Sequence, residues 1–507
     1  SGQWVAGSGK QSELIDAITG DLIGTTSSVG LDFAHMLHYA RTVGGPPLRK
    51  MTFPERGRML KALAQYLFDR KDKYYEISYR TGATKADSWV DIEGGIGNLF
   101  ANASLRRVLG NMPFYVDGDA VKTSKGGTFI GHHIMVPKEG VAVHINAFNF
   151  PIWGMLEKVA VNWMAGVPAV VKPATVTSYL TEAMVKDIIA SGILPEGAIQ
   201  LIVGSAEGLL DTVTSQDVVT FTGSASTGRM LKKHPRIVDE SVPFNMEADS
   251  LNAIVLGPDA TPGTEEFDLF IKEVGKEMTL KCGQRCTGAR RIMVPANVLE
   301  DVQIAIGKRL GGTVIGDPRV DGVRMGALAG QAQRNEVKRA LDELLKGSQI
   351  VYGSADSVDV RGADAAKGAF MSPILLLNAD PWKNQQSHNV EAFGPVSTLM
   401  PYTDIDDAVA LTKLGKGSLC ASIATYDEKV AQQFVWGAAS HHGRMLILNR
   451  EMAKENTGHG SPLATLVHGG PGRAGGGEEM GGKRGVLHYL QRTAIQGHPS
   501  MVTAITQ

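Results

Sequence analysis

Cysteine is scarce in this sequence: Cys282, Cys286 and Cys420 are the only three in 507 residues. A secreted chain of that length usually carries more, in pairs, so a disulfide framework is excluded and a reducing, cytoplasmic setting is expected. An excess of either charge is also missing. Lys plus Arg total 51 and Asp plus Glu 52, for a net charge of -1, which leaves no field to draw nucleic acid or an anionic membrane over the whole surface. No apolar run approaches the roughly 18–20 residues that a membrane-spanning helix needs. The 13 histidines form no spaced cluster, so no metal is expected. The opening residues Ser1, Gly2, Gln3 and Trp4 show neither an initiator Met nor a charged-then-apolar signal pattern, and the start reads as trimmed.

What is present is a chain long enough for two large domains, 43% hydrophobic and 20% charged. Its 60 glycines suit a fold whose backbone must approach a ligand closely. Over 141–229 short apolar runs alternate with helical patterns. Strands are expected at 141–145, 168–172, 199–203 and 217–221, with a helix opening at Pro151 and another over 179–191 stopped by Gly192. Near-continuous apolar strands between helices indicate a parallel sheet covered on both faces. That is an α/β, doubly wound arrangement, which binds ligands at the carboxyl ends of its strands. Further on, strands are expected at 252–256, 290–294, 373–377, 420–425 and 445–448, and helices at 266–281, 298–310 and 333–345, suggesting a second α/β unit. Asp117-Gly118 between two β-rich arms gives a hairpin signal over 114–136. With the tail at 486–494 it forms a small β arm suited to pairing with another subunit.

Several segments carry residues with chemical potential. Gly283-Gln284-Arg285-Cys286-Thr287 follows a helical stretch; Cys286 is either a thiolate nucleophile or a small buried hydrophobe. Glu247 precedes a strand and reads as a loop carboxylate or as a base. Asn149, before Phe150-Pro151, sits at a strand-to-helix junction where a cap is the plain expectation. Gly223, Ser224 and Gly228 follow a strand and open a helix whose amides suit a phosphate. The pattern is not a Walker A loop, because Arg229 and Met230 stand where Lys and Ser/Thr are required. Glu391-Ala392-Phe393-Gly394-Pro395 alone reads as a loop before a strand.

In their order and spacing these segments closely resemble the aldehyde dehydrogenase superfamily over essentially the whole chain. The resemblance implies a Rossmann-type cofactor domain at 1–113 and 137–246, a catalytic domain at 247–450, and an oligomerisation arm and tail at 114–136 and 484–507. It implies Cys286 as nucleophile, Glu247 as general base and Asn149 as an oxyanion donor. It places the cofactor against Lys172, Thr175, Gly204, Gly223, Ser224 and Gly228, with Glu391 and Phe393 on the nicotinamide side. Thr175 stands where NAD-preferring members often carry a glutamate; a small hydroxyl leaves room for a 2′-phosphate, so NADP+ is favoured, with NAD+ possible. Two departures are visible: Glu247 is followed by Ala248-Asp249-Ser250 instead of Leu-Gly-Gly, and the asparagine often found upstream of the nucleophile is Lys281.

The segments 454–462 and 468–479 are similar to a narrow branch of the superfamily acting on CoA-linked semialdehydes of aromatic catabolism, of the 3,4-dehydroadipyl-CoA semialdehyde type. A small-molecule aldehyde carrying CoA and a homodimer are the implied partners. Rival expectations are a CoA-acylating or semialdehyde-phosphate dehydrogenase on the same fold, a thioesterase pairing Cys286 with His459 or His468, and a catalytically idle binding protein.

Overall fold

The computed structural model describes residues 2–478 and 480–507. A hairpin of β1 (Ser12–Ile15) and β2 (Leu22–Thr26) precedes a set of helices that the sequence reading did not resolve. Among them, Phe53–Phe68 opens with a capping box between Thr52 and Glu55, and Gly94–Ala103 packs beside it. Strands β3 (Tyr115–Lys122) and β4 (Ile130–Pro137) follow.

The next five strands, β5 (Ala142–Ile145), β6 (Ala169–Lys172), β7 (Ile199–Leu201), β8 (Val218–Thr222) and β9 (Phe244–Glu247), form one parallel sheet in the order β7-β6-β5-β8-β9. Both faces are covered, as near-continuous apolar strands require. Ala142, Ala169 and Val171 join a core with the helices Pro151–Ala165 and Ser178–Ala190, whereas the alternate residues Val143, Ile145 and Val170 face Phe33, Leu37 and Ile237. Strand order reverses at β5, so a crevice opens above its carboxyl end, between β6 and β8.

A seven-stranded sheet follows: β10 (Asn252–Leu256), β11 (Ala289–Pro295), β12 (Gln349–Tyr352), β13 (Ile374–Leu377), β14 (Val396–Tyr402), β15 (Ser418–Ala424) and β16 (His442–Leu448). Its order is β12-β13-β14-β11-β10-β15-β16, parallel except for β12. Ile254, Leu256, Ile292 and Val294 face one core, and Ala253, Val255 and Met293 the other. The α/β class expected from the alternation is what the chain adopts. Among the described residues no helix is long and apolar enough to cross a membrane.

Strand β17 (Leu490–Gly497) pairs with β4 in a three-stranded antiparallel sheet ordered β17-β4-β3. Two local expectations need correction. Asp117-Gly118 is not the hairpin turn: both residues lie within β3, where the register shifts between Asp117 and Val121, and the chain reverses at 123–129. The helix expected over 266–281 spans Glu265–Thr279, because Lys281 and Cys282 take φ of 53° and 52°, a conformation no right-handed helix accepts.

Candidate active site

That early stop builds the turn carrying Cys286. Lys281, Cys282 and Gly283 are three consecutive residues of positive φ. The two that are not glycine cost on the order of 1–3 kcal/mol each and persist only because the surroundings over-determine them. The Lys281 amide donates to Asp87 Oδ1 at 2.6 Å, and its Nζ donates to Thr81 Oγ1 at 3.0 Å. Gln284 donates through Nε2 to Lys281 O and accepts the Ala329 amide at Oε1, both at 3.0 Å. At Gly283 a Cβ would lie 2.2 Å from Gly394 O, so only glycine lets the turn approach the 391–394 loop. Cys286 is left half-buried, while Cys282 is buried and desolvation pushes its thiol up.

Asn149 does not cap the helix it precedes. Pro151–Ala165 has no side-chain cap from its own N-terminal neighbour; instead Asp91 Oδ1 accepts the amides of Ile152 and Trp153 at 3.0 and 2.8 Å. Burial pushes Asp91 up to about 7, against those hydrogen bonds and the Lys281 charge. Relieved of capping, the buried Asn149 amide donates to Gln284 O at 3.0 Å, two residues before Cys286. An amide nitrogen carries two hydrogens, so one donor remains.

Glu247 is the last residue of β9, not a loop residue, and its carbonyl accepts the Gly223 amide at 3.2 Å. Asp249 has a specific partner: Arg473, from the glycine-rich tail, donates to its Oδ2 through Nε and Nη2 at 3.1 and 2.9 Å. The same guanidinium reaches the carbonyls of His388 and Asn389. The Ala248 amide donates to Ala474 O. The tail therefore clasps the segment just after Glu247. Asn252 continues the link, donating to Cys286 O and Gly288 O at 2.8 and 3.0 Å.

The cofactor-side positions gather at the crevice above β5. Lys172 ends β6, its carbonyl accepting the Asn146 amide, and burial lowers its ammonium pKa. Thr175 Oγ1 donates to Gly204 O at 3.5 Å. Ser224 caps the helix Ala225–Lys232 by accepting the Thr227 amide. At Gly228 a Cβ would lie 2.6 Å from Met246 Cε, so this glycine lets that helix pack closely on β9. The buried side-chain atoms Asn146 Oδ1, Asn146 Nδ2 and Thr222 Oγ1 make no hydrogen bond among the described residues. Such orphans at a switch point, beside a lysine and a helix N-terminus, fit a polar, anionic dinucleotide. Asn146 escaped the sequence reading because an asparagine after a strand is ordinary loop chemistry.

Glu391 and Phe393 meet the Cys286 turn through Arg290, which the sequence reading also missed. The Arg290 guanidinium stands 5.4 Å from the Phe393 ring centroid, and Phe393 meets Phe148 edge-on at 5.8 Å. Burial pushes Glu391 up to about 7, opposed by Arg290 and Arg473 and reinforced by Asp249.

The segment 454–462 lies behind the turn. Gly460 O accepts from Thr287 Oγ1 at 2.8 Å. His459 engages both ring nitrogens, Nε2 with Cys420 Sγ at 3.3 Å and Nδ1 with Ser422 Oγ at 2.6 Å. Burial pulls its pKa down to about 3. A neutral ring so occupied is not placed to serve as base for Cys286, which counts against a thioesterase built on His459. His468 Nδ1 lies 3.1 Å from Gly469 O, in the glycine-rich tail.

A doubly wound crevice beside a strained, glycine-framed cysteine turn defines a class, and residues 4–495 match the family model described as aldehyde dehydrogenase family. The chain belongs to that family. Over 471 residues it is 43% identical to 3,4-dehydroadipyl-CoA semialdehyde dehydrogenase of Aromatoleum evansii, covering 93% of this chain and 92% of that protein. It is 47% identical over 184 residues to Protein MaoC of Klebsiella aerogenes, or 36% of this chain and 53% of that one. Among solved structures, betaine aldehyde dehydrogenase of Staphylococcus aureus in complex with NAD+ superposes with a TM-score of 0.85 at 21% identity, covering 98% of this chain and 93% of that chain.

Proposed function

We propose that this protein is an NAD(P)+-dependent dehydrogenase that oxidises a CoA-thioester semialdehyde to the carboxylic acid. The observation that carries the chemistry is the Asn149 amide, held against Gln284 O beside the half-buried Cys286. The substrate reading rests on the 43% identity to the dehydroadipyl-CoA semialdehyde enzyme.

In this reading the Cys286 thiolate attacks the aldehyde carbonyl carbon and forms a thiohemiacetal. Its oxyanion accepts the remaining Asn149 N–H together with a backbone amide; one such donor is worth about 10²–10³ in rate. NAD(P)+ would supply the acceptor for the hydride leaving the thiohemiacetal carbon, and a thioester would then remain on Cys286. Glu247 then takes a proton from water, which attacks the thioester carbonyl, and the Cys286 sulfur leaves as the acid is released. Lys172 and the helix opening at Ser224 would hold the adenosine side, and Glu391 the nicotinamide ribose. A glutamate at 247 favours water over free CoA or phosphate as acceptor, so the CoA is a handle on the substrate.

We read the chain as a cofactor domain (1–113 and 137–246), a catalytic domain (247–450) and an arm with its tail (114–136 and 484–507). Val121, Phe129, Met501 and Ile505 are exposed on or beside the arm, which supports a homodimer formed through it. Three free thiols and the absence of a disulfide suit a cytoplasmic protein.

The test is absorbance at the reduced-nicotinamide band with a CoA-linked semialdehyde and no added CoA or phosphate. Turnover is expected; dependence on either acceptor would replace hydrolysis with acyl transfer. NADP+ is expected to be the better cofactor. Thr175→Glu should reverse that preference by at least about tenfold, because a carboxylate there repels a 2′-phosphate and binds ribose hydroxyls. An unchanged ratio of the two kcat/KM values removes Thr175 as the determinant.

A further inference from the structure

Arg290 is the second residue of β11 and lies four positions after Cys286. Its side chain is 4% exposed and that of Glu391 is 8% exposed. The fork is spent on three carbonyls from two segments. Nη1 donates to Gly394 O at 2.8 Å, and Nη2 donates to Gly283 O at 2.8 Å and Arg285 O at 3.0 Å. Its Nε stands 3.5 Å from Glu391 Oε1, an ion-pair contact at the outer limit of hydrogen-bond reach. One planar group therefore staples the nucleophile turn to the loop that carries Glu391 and Phe393.

Three cations surround that turn, each with carboxyl groups acting on it. Arg285 is buried against Glu277, with Glu273 nearby on the same helix, and the Cys286 thiolate also acts on it. Lys281 is buried with Asp87 and Asp91 acting on it, and burial pushes both of those carboxyls up as well. Arg290 has Glu391 as its principal counter-charge, and burial has pushed that carboxyl up to about 7, so near neutrality it is ionised only in part. Burial pulls the Arg290 guanidinium below its ordinary value, while Glu391 and, more weakly, Glu277 and the Cys286 thiolate push it back up. By reciprocity the guanidinium favours the thiolate. Cys282 has Asp87 against its ionisation, and Glu247 ends strand β9.

We propose that Arg290 is a positioning residue for this reaction: it joins the nucleophile turn to the 391–394 loop and contributes positive charge in whose presence the Cys286 thiolate forms. The proposal rests on Cys286 being the nucleophile, as read above.

The test is the pH dependence of Cys286 alkylation by iodoacetamide, followed peptide by peptide in the full chain without cofactor. A thiol unaided by its surroundings titrates near ~8.5. The wild-type inflection is expected at least about one pH unit below that. Arg290→Gln should raise it, slowing alkylation at pH 7 by roughly tenfold, as loss of one neighbouring opposite charge does. Glu391→Gln removes the counter-charge and should lower the inflection. Arg290→Lys keeps the charge but not the fork, so its inflection should stay near wild type while the KM for the cofactor rises several-fold. A melting curve close to wild type identifies folded variants; if Arg290→Gln does not fold, the wild type and Glu391→Gln carry the test. An unmoved inflection in folded Arg290→Gln, or a wild-type inflection at ~8.5 or above, overturns the proposal and leaves the functional reading standing. Turnover that survives Cys286→Ala would instead overturn the functional reading.

Discussion

Cys286→Ala is expected to abolish aldehyde-dependent reduction of NAD(P)+, by at least about 10⁴-fold in kcat, as removal of a covalent nucleophile does elsewhere. No other thiol can take over. Cys282 is buried and its thiol is pushed up by desolvation, and Cys420 is buried with its sulfur against Thr287 O and His459. The fold should survive, because Cys286 is only half-buried and loses one sulfur atom. A thermal melt within a few degrees of wild type, with cofactor still bound, would assign the loss to chemistry. Appreciable residual turnover would mean that hydride leaves from an unattached aldehyde hydrate, and the covalent mechanism would fall.

Glu247→Gln should separate the two halves of the reaction. Attack by Cys286 and hydride loss do not need the base in its hydrolytic role. Mixing enzyme, NAD(P)+ and semialdehyde should therefore give one rapid equivalent of reduced cofactor per site. Steady turnover should then run slower by about 10²–10⁴, the usual worth of a general base. The acyl group should be found on the Cys286 peptide by mass spectrometry. Glu247 sits at the carboxyl end of β9, tied through Gly223, and the Asp249–Arg473 pair clasps the chain two residues later. Its neutral isostere should leave that frame intact. Loss of the burst along with the steady state would place Glu247 in an earlier step, such as drawing the proton from Cys286.

The parallel sheets were legible because burial on both faces forces near-continuous apolar runs, and β10 begins and ends where its five apolar-rich residues do. The residues with candidate chemistry were legible only as an ordered set, since each alone is an ordinary turn, cap or loop residue. What stayed hidden was whatever depends on partners distant in sequence. Nothing near Pro151 announces that Asp91 caps its helix, and freed of that duty Asn149 turns to Gln284. Asp249 looked like a lost glycine until Arg473, 224 residues away, was seen to occupy it. Arg290 was passed over because an arginine in a strand usually reaches solvent. The end of the helix at Thr279 was missed for a different reason: its composition continues to favour helix, and Asp87 together with the Gly283–Gly394 approach overrides it.

The frame around the turn also sets an order of events during synthesis. Thr287 is secured by Gly460, Glu247's neighbour Ala248 by Ala474, and β4 by β17, so parts made early wait for parts made much later. Such distant pairings form slowly, and until they do the unpaired edge of β4 is open to other chains. A ribosome-bound chain halted before residue 460 should carry a Cys286 thiol without its full frame. The segment that carries Cys286 thus stays without part of its frame until residue 460 has been made.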